Sequence, residues 1–117
     1  MLTVYGISNC DTVKKTLNWL KAKGLGYVFY DYKKQVISAD KLSEWLKSYD
    51  WTQLINRAGT TWKKLSDDEK AAVQNPEAAI ELMMSKPSII KRPLIEQNGV
   101  VVSLGFDEKK MEVLFQK

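Results

Sequence analysis

The chain contains one cysteine, Cys10, and no histidine. Cys10 lies where an apolar run gives way to a helical pattern, so the sequence predicts a thiol at the start of the first helix. Free N–H groups at a helix N-terminus and a nearby cation stabilise a thiolate, the reactive form. Lys14 follows one helical turn later on the same side and is a candidate for that cation. The negative charge of Asp11 opposes the thiolate unless Asp11 caps the helix. From position alone, a reactive thiol and a small buried hydrophobic residue both stay open.

Two arginines are candidate anion ligands. Arg92 precedes Pro93 at the start of a predicted strand, and its planar fork of donors suits an oxyanion or a carboxylate. A proline at this point can take the cis form. Arg57 lies in a loop of small residues between predicted helices. Taken singly, each segment favours a simpler interpretation: a solvated arginine in a surface turn for Arg92, and a helix C-terminus stopped by Gly59 for Arg57.

Composition excludes several classes of function. With no histidine and one cysteine, the sequence predicts no metal site. The net charge is +4, but the lysines occur in scattered pairs, which are typical of solvated helix faces and not of a nucleic-acid-binding stripe. No apolar run approaches the ~20 residues of a membrane helix. The N-terminus lacks the features of a signal peptide, so we expect a cytoplasmic protein that binds neither membrane nor nucleic acid.

The elements that must position these residues begin with a β-α-β unit. Residues 2–7 are predicted to form a buried strand, a helix follows from Asp11 with Val13, Leu17 and Leu20 inward, and 27–32 form a second strand. The two strands are expected to be parallel and joined by a right-handed crossover. Helices capped by Ser38, by Ser66 in a capping box and by Asn75 fill the middle of the chain.

The last third predicts a hairpin and a closing helix. Asn98-Gly99 between apolar runs is a strong hairpin signal, and Asp107 caps a helix with Met111, Leu114 and Phe115 inward. The predicted fold class is α/β: a thioredoxin-like mixed four-stranded sheet. A helical insertion at about 38–86 separates the β-α-β unit from the hairpin and helix. We expect residues 1–117 to form one domain.

Three separated motifs resemble one family. They are Tyr5-Gly6-Ile7 with Asn9-Cys10-Asp11-Thr12, Asn56-Arg57 with Gly59-Thr60-Thr61-Trp62, and Ile90-Lys91-Arg92-Pro93-Leu94. Together they look like the superfamily of glutaredoxin-coupled arsenate reductases and Spx regulators, in its YffB-like branch of short bacterial proteins. The resemblance spans essentially the whole chain and keeps the order of the motifs.

The resemblance implies a thioredoxin-like fold and a nucleophilic Cys10, supported by Asn9, Thr12 and Pro93. Three arginines hold the oxyanion in the family's arsenate reductases, and two of them match Arg57 and Arg92. The third would fall near residues 104–106, where this chain has none. Spx regulators usually carry a second cysteine three residues after the first, a position that is valine in this chain, so that redox switch cannot form.

These departures indicate chemistry with an outside thiol. The first hypothesis is a glutathione-dependent thiol-disulfide oxidoreductase with glutathione as co-substrate and no bound cofactor. Lys14, Arg57 and Arg92 would hold the carboxylates of glutathione, and glutaredoxin is a further candidate partner. The alternatives are an arsenate reductase and a non-enzymatic, Spx-like regulator that binds RNA polymerase. A monomer is expected.

Overall fold

A computed structural model describes residues 2–115. The elements in chain order are β1 (Leu2–Gly6), α1 (Asp11–Ala22), β2 (Tyr27–Asp31), α2 (Ala39–Trp45), α3 (Trp51–Leu54), α4 (Thr60–Lys63), α5 (Asp67–Ala72), α6 (Pro76–Ser85), a 3₁₀ helix (Pro87–Ile89), β3 (Leu94–Gln97), β4 (Val100–Leu104) and α7 (Glu108–Leu114). The chain divides into two compact units. The first unit holds the chain up to Tyr32 and from Arg92 onward, and the second is Lys33–Lys91.

The first unit contains a four-stranded sheet in the order β2-β1-β3-β4. The two strands of the β-α-β unit are parallel, with Leu2 opposite Tyr27 and Gly6 opposite Asp31. β3 is antiparallel to both β1 and β4. This mixed sheet, with a parallel pair followed by an antiparallel hairpin and a closing helix, confirms the predicted α/β, thioredoxin-like fold class.

One face of the sheet and two helices enclose the core of this unit. The buried cluster takes residues from β1, α1, β3 and α7: Leu2, Val4, Trp19, Leu20, Ile95 and Met111. Met111 is buried as predicted, but the inward position of Leu114 was wrong, because its side chain is 38% exposed. Phe115, four residues after Met111, packs its ring 6.4 Å from that of Trp19 and takes the inward position at the last turn.

Two glycines of the first unit are needed by the geometry. Gly99 has φ +82° and follows Asn98 at φ 53°, as expected for a tight hairpin turn. Gly6 ends β1 next to α1, and a Cβ atom there would lie 2.8 Å from Cγ2 of Val13. The absence of a side chain at Gly6 therefore lets α1 lie close to the sheet immediately beyond Cys10.

The second unit is helical, and three of its α-helices begin at the predicted caps. Ser38 accepts a hydrogen bond from the Lys41 N–H. Asn75, which precedes Pro76, accepts one from the Ala78 N–H. Ser66 forms a complete capping box with Glu69. The predicted insertion at about 38–86 lies within this unit. That the whole chain forms one domain stays a prediction.

Candidate active site

Cys10 is the N-cap residue of α1. Its backbone is extended (φ −114°, ψ 125°), and its carbonyl accepts the N–H of Lys14 at 2.9 Å. No side-chain hydrogen bond closes this cap, which leaves the first N–H groups of the helix available to an anion. Asp11 does not cap the helix. Asp11 is the first helical residue and its side chain is exposed, because the chain already enters the helix one residue earlier.

The environment of Cys10 lowers the pKa of its half-buried thiol. Burial by itself raises the pKa, because it disfavours the charged form. The Val13 N–H, the hydrogen bond and charge of the Arg92 guanidinium, and the Thr12 N–H together outweigh that effect. The N–H groups belong to the second and third residues of α1, so they act where an oxygen cap would normally accept. The arrangement favours a thiolate at the start of the helix.

Arg92 is the cation that acts on Cys10. Its side chain is half-buried and bonds to the Cys10 sulfur. The Arg92–Pro93 peptide is cis, and Pro93 is buried. The Pro93 carbonyl accepts the Gly105 N–H at 2.7 Å. The loop after β4, where the resemblance would place a third arginine, is therefore joined directly to the segment that carries Arg92.

Tyr32 is a site residue that the sequence analysis missed. It follows β2, is 2% exposed, and donates its backbone N–H to the Gly6 carbonyl at 3.1 Å. Its phenol is hydrogen bonded to Arg92, and burial raises the pKa of the phenol well above its usual value despite that cation. A usable signal was present, because Tyr32 directly follows the parallel strand next to β1, and functional groups gather at the carboxyl ends of such strands.

The other predicted residues differ in where they lie. The backbone N–H of Thr12 helps to lower the pKa of the Cys10 thiol, whereas Asn9 is an exposed turn residue. The side chain of Lys14 is exposed. The structure thus brings Cys10, Thr12, Arg92 and Pro93 into one unit. The roles of Asn9 and Lys14 stay predictions.

Arg57 belongs to the second unit, in the turn between α3 and α4. Its side chain is exposed. Hydrogen bonds from Thr52 are the main cause of the lowered pKa of Asp50, and the charge of Arg57 adds to that effect. The simpler interpretation, in which Gly59 ends a helix, was wrong. Gly59 is instead the N-cap of α4, and a Cβ atom there would lie 2.8 Å from Nδ2 of Asn56. The anion-binding role of Arg57 stays a prediction.

Two kinds of feature are absent from residues 2–115. No group of three or more histidine, cysteine, aspartate or glutamate side chains there could hold a metal ion. No helix in that part of the chain is both long and apolar enough to cross a membrane.

Residues 5–114 match the model of the ArsC family. The chain belongs to the ArsC family. An uncharacterised protein of Haemophilus influenzae is 36% identical over 115 residues, covering 98% of this chain and 99% of that protein. The solved structure of a YffB protein has 39% identity, a TM-score of 0.89 and 97% coverage of both chains. An arsenate reductase (ArsC) related protein from Brucella melitensis has 44% identity and a TM-score of 0.78, covering 99% of this chain and 95% of that one.

Proposed function

We propose that this ArsC-family protein is a glutathione-dependent thiol-disulfide oxidoreductase with Cys10 as its single nucleophile. The observation that carries the proposal is the placement of Cys10 at the uncapped start of α1 in hydrogen-bond contact with the Arg92 guanidinium. This environment lowers the pKa of the thiol and so raises the thiolate fraction available for attack. Membership of the ArsC family supports an oxidoreductase.

The proposed reaction consumes a mixed disulfide of glutathione. The Cys10 thiolate attacks the glutathione sulfur, a Cys10–glutathione disulfide forms, and the substrate leaves as a thiolate that takes a proton from solvent. A second glutathione thiolate then attacks the sulfur of the bound glutathione. Oxidised glutathione leaves, and the Cys10 thiolate is regenerated. The two exchanges convert one mixed disulfide and one glutathione into one thiol and one oxidised glutathione, so the chain needs no second cysteine.

Cationic side chains would select glutathione by its carboxylates. Arg92 already faces the sulfur, and its fork of donors could bind a carboxylate while it stays near the thiolate. Lys14 and Arg57 are the other proposed ligands. Replacing Lys14 with Gln should raise the KM for glutathione more than it lowers kcat, because the lost contact would be to the bound ligand and not to the reacting sulfur.

The test is turnover of the mixed disulfide between glutathione and 2-mercaptoethanol. Formation of oxidised glutathione is followed by coupling to glutathione reductase, and Cys10→Ser should reduce the rate to background. Lys15→Gln, which removes an exposed cation of the same helix, is the control and should keep the wild-type rate. Mass spectrometry should detect one glutathione on the wild-type chain and none on Cys10→Ser. Equal rates for wild type and Cys10→Ser would disprove the proposal.

Arsenate reduction is the second candidate function, and the 44% identity to an arsenate reductase related protein favours it. Against it, Arg92 already shares its guanidinium between Cys10 and Tyr32, and the segment near Gly105 supplies no third arginine. Bidentate contacts of this kind carry oxyanion affinity, so we expect weaker arsenate binding than three arginines would give. Release of arsenite from arsenate, glutathione and glutaredoxin, compared between wild type and Cys10→Ser, separates this function from the first.

Other expectations stay predictions. A regulator that binds RNA polymerase would retain polymerase subunits in a pull-down, and Cys10→Ser would not change that retention. The monomeric state, the cytoplasmic location and the use of glutaredoxin as a partner are likewise predictions, to be checked by light scattering, by fractionation and by the coupled assay.

A further inference from the structure

We propose that Tyr32 is a positioning residue whose buried phenol holds the Arg92 guanidinium against the Cys10 sulfur. The inference rests on the proposed role of Cys10 as nucleophile, but it does not depend on glutathione being the co-substrate. It assigns a function to a buried polar group that the proposed reaction does not otherwise use.

The backbone fixes the place of the Tyr32 ring. Asp31 pairs with Gly6 in the parallel ladder, and the N–H of the next residue, Tyr32, donates to the Gly6 carbonyl at 3.1 Å. The side chain is 2% exposed, and a buried tyrosine has only two side-chain torsions to restrict. Tyr32 is therefore a rigid support at the end of the strand that lies beside the start of the Cys10 loop.

Arg92 needs such a support because its side chain is long and flexible. An arginine side chain has several rotatable bonds, and holding it in one geometry costs conformational entropy. The guanidinium is half-buried and bonds to two partners, the Cys10 sulfur and the Tyr32 phenol. Two anchors fix the orientation of a planar group that one anchor would leave free to rotate.

A phenol suits this position better than a carboxylate would. The phenol oxygen accepts a hydrogen bond from Arg92 while it stays neutral, so the guanidinium charge is not cancelled and continues to act on the thiolate. Burial, the Cys10 sulfur and the half-buried Asp31 all favour the neutral phenol, and only Arg92 opposes them. Tyr32 therefore orients the cation without competing for its charge.

The test measures the pKa of Cys10 from the ultraviolet absorbance of its thiolate in wild type and in Tyr32→Phe, with Cys10→Ser as the blank. Tyr32→Phe removes one oxygen and keeps the ring. We expect the pKa of Cys10 to rise by about half a pH unit, which is a roughly threefold loss of thiolate at any pH below both values. The matched control is Tyr5→Phe, which deletes a buried phenol that bonds to Glu96 at 3.0 Å and should leave the pKa of Cys10 unchanged.

A double-mutant cycle shows whether Tyr32 acts through Arg92. In an Arg92→Gln background, adding Tyr32→Phe should produce no further rise in the pKa of Cys10. A purely structural role predicts equal shifts in both backgrounds, which would overturn the inference, as would an unchanged pKa in the Tyr32→Phe single variant.

If Tyr32→Phe does not fold, the wild type itself supplies the measurement. With ¹³Cζ-labelled tyrosine, the Tyr32 ring resonance should move at the same midpoint as the Cys10 titration, and that movement should be absent in Cys10→Ser. A Tyr32 resonance that ignores the Cys10 titration overturns the inference. Failure of glutathione turnover with the expected pKa shifts would reject the proposed function alone, and normal turnover without those shifts would reject the inference alone.

Discussion

Replacing Arg92 with Gln should raise the pKa of Cys10 by about one pH unit. A hydrogen bond between charged groups contributes ~1.5–3 kcal/mol, and Arg92 adds its long-range charge. The thiol and the guanidinium are both half-buried, so solvent screens part of that energy, and the glutamine amide restores a weaker donor. A remainder of about 1.4 kcal/mol is one pH unit.

The rate consequence has opposite signs at low and high pH. Below both pKa values, a rise of one unit reduces the thiolate fraction about tenfold. The remaining thiolate is more basic and, with a Brønsted coefficient of about 0.4–0.5, reacts about threefold faster. Arg92→Gln should therefore react roughly threefold more slowly than wild type at low pH and roughly threefold faster once both thiols are ionised, so the two pH–rate profiles should cross.

The assay is the rate of disulfide exchange with 2,2′-dithiodipyridine, measured as a function of pH. A neutral reagent is needed because an anionic one would also lose attraction to the removed charge. Lys15→Gln is the control and should follow the wild-type profile. Parallel profiles that never cross would refute the reasoning, because they would mean that Arg92 does not act through the pKa of Cys10.

Two further predictions concern stability. The pKa of the Tyr32 phenol is raised above the usual 10.0 in the folded state, so the unfolded chain loses this proton at a lower pH than the folded chain. The free energy of unfolding of the wild type should therefore fall as pH rises above roughly 10. The urea midpoint of Tyr32→Phe should fall less steeply over the same range. Gly6→Ala should lower the free energy of unfolding by about 1–3 kcal/mol, because the new methyl meets Val13 at 2.8 Å. Gly26→Ala, whose Cβ would meet nothing within 4 Å, is its control in urea titrations.

Much of the fold could be predicted because its signals are local. The hairpin turn needs two residues of positive φ, and Asn98-Gly99 is a strong local sequence signal for that geometry. An oxygen acceptor near the first N–H groups stabilises a helix start, and Ser66 and Asn75 supply one from within three residues. Each of these features depends on a few consecutive residues, so a single sequence is sufficient to predict it.

The candidate site was predicted only in part because its contacts join distant segments. Cys10, Tyr32 and Arg92 come from the start of a helix, the end of a strand and the start of the returning chain. Helical spacing puts Lys14 one turn after Cys10, so Lys14 was predicted to be the cation near the thiol. Arg92, 82 positions after Cys10, provides the observed contact because the return of β3 beside β1 brings it there. Such a contact leaves no trace in local periodicity.

The identity of the N-cap links the stability of α1 to the chemistry of Cys10. Serine is among the best N-cap residues, and losing such a cap costs ~0.5–2 kcal/mol, whereas the Cys10 side chain closes no cap hydrogen bond. At a pH where the thiol is protonated, Cys10→Ser should therefore unfold at a higher urea concentration than wild type, although it is inactive. Cys10→Ala, which has no acceptor, should not show this gain.

The difference between Cys10→Ser and wild type should depend on pH in one direction. The pKa of Cys10 is lower in the folded state than its usual 9.0, so the folded chain releases this proton before the unfolded chain does. Ionisation then stabilises the wild type as pH rises through the folded pKa, and the effect is complete above the unfolded value. The advantage of Cys10→Ser should shrink over that window. A constant difference would mean that the helix N-terminus and Arg92 do not favour the thiolate, and it would remove the physical basis for a reactive Cys10.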